Sequence, residues 1–314
     1  MSKSTVRYIF QRLAISLVTL FVILVVLFCM VRFLPGSPIN NEHLSEAQRT
    51  AIEASYGLNL PLPQQFVKYV GGMLTGDFGV SMNLYKDMQV SSLVGTAAPI
   101  SFFLGLCACI LGTIVGIFLG VVAALNKNTI WDTLTTVLSV IGVSIPSFVF
   151  AMLILIIFGS NLHILPTMYS ASQPIYSAIM PIIALSMSVI ANVARFTRTE
   201  MISVLNSDYI MLAKAKGLSR KDIIFKHALR NTLIPIITIL GPILVNLMTG
   251  TMVVEKVCSV PGLGKLLINS IQASDYNVIL ACAFLYAAMY ILMMLIIDVS
   301  YGIIDPRIRL GKDE

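Results

Sequence analysis

Six stretches of this chain are apolar for long enough to cross a lipid bilayer: residues 13–31, 99–125, 133–158, 175–194, 232–254 and 278–304. A hydrocarbon core of about 30 Å takes roughly 20 helical residues, so the longer stretches must tilt, kink or protrude. In lipid each backbone N–H and C=O has to be satisfied within the protein, and for spans of this length that means helices. The predicted fold is all-α and integral to a membrane, with six transmembrane helices. Pro146, Pro181, Pro235 and Pro242 fall inside the apolar stretches, where neighbouring helices can compensate the lost backbone bonds. Composition agrees: of 314 residues 57% are hydrophobic and 11% charged, too little polar surface for a soluble domain of this size.

Lys3, Arg7 and Arg12 give the first stretch the basic start of a secretory signal. The apolar run is a full span, however, and Cys29-Met30-Val31-Arg32-Phe33 offers no small-x-small cleavage site, so the helix is expected to be retained. With the N-terminus inside, the inner segments hold Lys3, Arg7, Arg12, Lys127, Arg195, Arg198, Lys214, Lys216, Arg220, Lys221, Lys226, Arg230, Arg307, Arg309 and Lys312. The outer segments hold only Arg32, Arg49, Lys68, Lys86, Lys256 and Lys265. That excess predicts both termini in the cytoplasm. It also accounts for the net charge of +6 without nucleic acid as a partner; lipid is the expected surrounding.

Hydropathy divides the chain into residues 1–31 (N-terminal segment and first helix), 32–98 (an outer cap), 99–304 (a five-helix core with an inner loop at 195–231) and a tail at 305–314. In the cap, Ser45-Glu46-Ala47-Gln48 reads as a capping box opening a short helix that Gly57 can close, and residues 64–74 look amphipathic. Two roles compete for such a folded cap: simply covering the outer helix ends, or offering a docking surface to a soluble partner. Val260-Pro261-Gly262-Leu263-Gly264-Lys265 reads as a re-entrant or surface turn.

The inner segment 208–235, DYIMLAKAKGLSRKDIIFKHALRNTLIP, is more ordered than topology alone requires. Asn206 or Ser207 can cap a first short helix, Gly217 can end it in the left-handed conformation, and Ser219 with Asp222 can open a second helix from Arg220 to about Asn231. Ala213 and Ala215 keep the first helix thin, and Tyr209, Leu212 and Lys216 share one side. Two short helices meeting at a glycine suit a groove on another protein, against the bland alternative of a solvated basic loop.

The run Ala213-Lys214-Ala215-Lys216-Gly217, with His227-Ala228-Leu229-Arg230-Asn231 and Leu233-Ile234-Pro235, resembles the cytoplasmic signature of permease subunits of ATP-binding-cassette (ABC) importers. It is most similar to the first permease subunit of the oligopeptide, dipeptide and nickel group. Tyr56 to Phe66, Gly76 to Ser81, Pro261-Gly262-Leu263-Gly264 and Asp305-Pro306-Arg307-Ile308-Arg309 resemble further motifs of that group, in order along nearly the whole chain. The wider signature begins Glu-Ala-Ala; here Met211 and Leu212 take the first two places and Ala213 alone matches. The resemblance implies the type I permease fold and a bacterial plasma membrane. It further implies a second homologous permease subunit, two cytoplasmic ATPases and an extracytoplasmic substrate-binding protein. The expected ATPase contacts are Tyr209, Leu212, Ala213, Lys214, Ala215, Lys216, Gly217 and Leu218.

No cofactor is expected on this chain. It carries no GxxxxGK[ST] phosphate loop, because Gly262-Leu263-Gly264-Lys265 is followed by Leu266; ATP and Mg belong to the partner subunits, and this chain is not expected to be an enzyme. His43, His163 and His227 form no cluster, and no metal site is expected. Asn246, Thr249 and Gly250 in the fifth span, and Ser144 and Ser147 around Pro146 in the third, are candidate pathway positions, with interhelical hydrogen bonding as the competing role. The expected cargo is di- or oligopeptides, with nickel or a metal chelate as the alternative. A stand-alone ion-coupled transporter or channel is the reading from a different class. The first five spans hold no mid-membrane ionisable group of the kind such proteins use, and Asp298 in the sixth lies near its inner end.

Overall fold

The computed structural model describes residues 3–33, 50, 54, 57 and 59–304. In chain order the described helices are α1 (Lys3–Phe33), α2 (Leu62–Thr75), α3 (Val90–Leu125), α4 (Ile130–Ser144), α5 (Ser147–Ile154), α6 (Pro174–Leu205), α7 (Asp208–Ala215), α8 (Arg220–Asp222), α9 (Leu229–Val257), α10 (Leu263–Gln272) and α11 (Tyr276–Ile304). Two π-helical stretches, Leu155–Asn161 and Ile223–Ala228, extend α5 and join α8 to α9. Five helical segments are long and apolar enough to cross a membrane, or six where the bent pair α4–α5 is taken as one span.

The third apolar stretch, expected as one helix, is broken. Its halves meet at 104° across Ile145 and Pro146. Proline has no N–H to continue the ladder, and its ring drives the preceding residue to extended backbone; Ile145 sits at φ −91°, ψ 124°. Pro181, Pro235 and Pro242 remain inside continuous helices. The second helix of the inner segment does not stop near Asn231 either: through its π stretch it runs on into α9.

The chain divides into two compact units, residues 1–101 with 261–295 and residues 102–260 with 296–314. In the first, Leu24 of α1, Met73 of α2 and Tyr276, Ile279 and Leu280 of α11 form one core, with Phe66 set edge-on to Phe21 and Phe28. The amphipathic cap helix expected at 64–74 is α2. It ends at Gly76 (φ +78°), whose N–H bonds Met73 O while that of Asp77 bonds Gly72 O, a Schellman stop. A second core joins Val90, Val94 and Ala97 of α3 to Leu263 and Leu266 of α10 and Val278, Ala281 and Cys282 of α11. The turn expected after Pro261 is therefore a packed helix. The fully buried Asp275 carboxylate accepts bonds from Ser81 Oγ and from the backbone N–H groups of Asn83 and Leu84, stapling the loop before α3 to the start of α11. Cys29 is exposed, Cys258 is buried with its thiol pushed up to about 11, and all five cysteines are free.

In the second unit α4, α5 and α9 pack on α6, the most buried of the spans. Gly112, Gly116 and Gly120 of α3 face Val189, Val193 and Thr197 of α6; a Cβ on Gly116 would stand 2.7 Å from that of Val193. Small residues four apart let helix backbones approach closely enough for van der Waals packing to hold them in lipid. Gly142 of α4 does the same against Ala191, where an added Cβ would stand 2.8 Å away. The capping box at 45–48 and the C-terminal motif at 305–309 lie outside the described residues.

Candidate functional site

The inner segment is built from its local rules upward. Ser207, extended at φ −78°, ψ 155°, precedes α7, and Asp208 places an acid in its first turn. The helix ends in a second Schellman stop: Gly217, at φ +75°, donates to Lys214 O, and Leu218 donates to Ala213 O. Ser219 Oγ then accepts from the N–H of Asp222 (3.2 Å) and donates to its carboxylate (2.6 Å), opening α8. Lys226 pairs with Asp222 one turn on. The two helices and the corner glycine expected from sequence are all present.

Packing sorts the expected contact residues into two sets. Ile210, Ala213, Ile223, Ile224 and Ala228 are buried against Ala124 of α3 and Met201 of α6. Ala213, read as a thin outward face, is therefore spent inside the chain's own core. Tyr209, Leu212, Lys214, Ala215, Lys216, Gly217 and Leu218 are exposed. Met211 and Phe225, 66% and 65% exposed, are, like Tyr209, Leu212 and Leu218, large apolar side chains left uncovered in this basic segment. Sequence reading passed over those two; the signal was present as large apolar residues inside a charged run that the helix core does not need.

The candidate pathway positions do not gather at one point. Ser147 and Gly250 come together where α5 packs on α9: a Cβ on Gly250 would lie 3.6 Å from Ser147 Oγ and 4.0 Å from Leu185 Cδ2. Asn246 is exposed one turn earlier on α9. Thr249 sits between them in the helix, with its side chain outside the described residues. Ser144, on the far side of the Pro146 break, lines a separate cavity between α4 and α6. Arg198, which lines that cavity and was counted as a topological cation, makes an ion pair sequence reading missed: its Nε–Nη2 edge donates to both carboxylate oxygens of Asp132, Nε to Oδ1 at 2.5 Å and Nη2 to Oδ2 at 2.8 Å. Asn128 N–H also bonds that carboxylate.

The cap contains a cavity of about 400 Å³ within the first unit, lined among others by Arg32, Lys68, Tyr69, Asp77 and Asn277. Burial pushes the Tyr69 phenol up, and its hydroxyl finds no hydrogen-bond partner among the described residues. Burial also lowers the Arg32 guanidinium, which stands 5.5 Å over the Phe28 ring.

The family model described as "Binding-protein-dependent transport system inner membrane component" matches residues 116–310, more than half of the chain and all of the inner segment. The dipeptide transport system permease protein of Lactococcus lactis subsp. cremoris is 44% identical over 305 residues, covering 97% of this chain and 100% of that protein. The corresponding protein of Bacillus subtilis is 40% identical over 307 residues (98% and 99%). The oligopeptide transport system permease protein of Haemophilus influenzae is 42% identical over 305 residues (96% and 99%). A crystal structure of an amino acid ABC transporter with histidines shares the fold at TM-score 0.53 and 14% identity, covering 68% of this chain and 94% of its own. With the bent third span, the two-helix inner segment and these end-to-end matches together, the chain belongs to the family of inner-membrane components of binding-protein-dependent transport systems, the permease subunits of ABC importers.

Proposed function

We propose that this chain carries peptides as one half of the pathway of an ATP-driven importer, with both termini and segment 208–231 in the cytoplasm. Relatives named for dipeptide and oligopeptide transport match it from end to end and support the peptide cargo; they do not favour the nickel alternative. A second permease subunit completes the path, two ATPases bind ATP and Mg, and a binding protein docks on the outer cap.

The observation that carries coupling is the exposure of five large apolar side chains on this one charged segment, Tyr209, Met211, Leu212, Leu218 and Phe225. Exposing such residues in water is unfavourable unless a partner covers them, and each fully buried large side chain contributes about 1.5–3 kcal/mol. The segment is locked to α3 and α6 by Ile210, Ala213, Ile223 and Ile224. A displacement of the segment by a closing ATPase pair is therefore delivered to α6, and through the π stretch to α9, which bears Asn246, Thr249 and Gly250. Scattered uncharged polar groups suit a peptide, which brings backbone donors and acceptors with any side chain.

The complete complex, reconstituted in proteoliposomes with its binding protein, tests this. ATP-dependent uptake of a labelled di- or tripeptide is expected. Uptake of nickel without peptide overturns the cargo, and peptide uptake driven by an ion gradient without ATP overturns the coupling.

A further inference from the structure

The cavity between α4 and α6 is not absorbed by the coupling segment or the Ser147–Gly250 contact. It holds about 210 Å³. Its lining runs from Thr135 to Ser144 on α4 and from Ala194 to Thr199 on α6, and includes Arg198, the ion-pair partner of Asp132. Thr135 and Ser139, one helical turn apart and each only 5% exposed, line it. Neither hydroxyl has a hydrogen-bond partner among the described residues. Both hydroxyls are therefore free to bond a group that enters the cavity. Arg195, exposed at the cavity edge, has no acidic partner among the described residues, whereas the charge of Arg198 is balanced by Asp132. The site thus offers one uncompensated cation and convergent hydroxyls, the chemistry of a monoanionic oxyanion.

Its surroundings identify the source. Trp131, the chain's single tryptophan, stands 59% exposed in the first turn of α4, the position of an interfacial anchor. Leu134, Leu138 and Ile141 carry an exposed apolar face along the same helix. On the orientation proposed above, this is the inner leaflet, where anionic lipids concentrate and basic pockets between helices bind their head groups. At about 210 Å³ the cavity admits a phosphodiester but is smaller than the roughly 300–1,000 Å³ of small-molecule pockets, which disfavours a peptide.

We propose that the α4–α6 cavity binds the phosphate of an anionic phospholipid of the inner leaflet, with Arg195 supplying the charge and Thr135 and Ser139 the hydrogen bonds. The test is native mass spectrometry of the whole complex released from nanodiscs of mixed phosphatidylglycerol and phosphatidylcholine. Wild type is expected to retain phosphatidylglycerol, Arg195→Gln to retain about fivefold less, and the near-isosteric Thr135→Val to lose it partly. Lys86→Gln, in the cap, is expected to match wild type. Equal retention by wild type and Arg195→Gln overturns the proposal. So does displacement of the lipid by a dipeptide with a free carboxylate but not by its amide, which assigns the cavity to cargo, or by inorganic phosphate, which assigns it to a soluble anion.

Discussion

Two neighbouring residues separate the chain's own packing from the proposed partner contact. Ala213 is 6% exposed within the core beneath α7, whereas Leu212 is 56% exposed. Ala213→Asp places an unpaired charge in that core and is expected to lower the thermal midpoint of the complex. Leu212→Asp is expected to leave the permease folded and strip the ATPases during purification. If both variants retain ATPase and full uptake, the segment is only a basic loop. Nothing lies within 4 Å of where a Cβ on Gly217 would stand, so the constraint there is φ +75° alone. Gly217→Val is expected to cost about 1–2 kcal/mol locally and to uncouple hydrolysis from uptake, while Gly217→Asn retains most activity. Two turns before the end of α6, Arg198→Gln leaves the Asp132 carboxylate, 6% exposed, without its cation. Arg198 is 29% exposed, so solvent shares the pair and a loss of about 1–3 kcal/mol is expected; Asp132→Asn combined with Arg198→Gln should fall short of the summed single losses.

Helix contacts here depend on missing side chains as much as on present ones. A leucine at Gly116 of α3 would drive into Val193 and the carbonyl of Ile190, both on a helix that three others pack against. Gly116→Leu is expected to prevent assembly, read as loss of the intact complex on size-exclusion chromatography. Gly95, on the same helix, has nothing within 4 Å of an added Cβ. Gly95→Ala is expected to be neutral or mildly stabilising, since alanine is about 1 kcal/mol the better helix former. Equal tolerance at both positions would dismiss the stripe as a packing device.

Across the whole molecule, the proposed orientation rests on where the cations fall. In a cysteine-free background, Lys86→Cys is expected to react with an impermeant maleimide in intact cells. Ser219→Cys is expected to react only once the membrane is opened, and the reverse pattern would invert the orientation. Both positions are exposed, so accessibility reads sidedness rather than burial.

The spans, the cap helix α2, the Gly217 corner and the Ser219–Asp222 start of α8 were legible from residue order, because each rests on a period, a backbone angle or a bond within a few residues. The break at Pro146 was marked by the proline, but the 104° between its halves is set by how α4 and α5 each pack on α6. The inward turn of Ala213, the Asp275 staple on the loop before α3 and the Asp132–Arg198 pair, 66 residues apart, came only from tertiary structure. The physical reason is common to all three. Hydropathy places a helix in lipid but leaves its rotation open, since lipid tails are as apolar as leucine and reward no particular face. Close packing at glycines and a few buried polar bonds choose the rotation, and those partners are brought together by the fold.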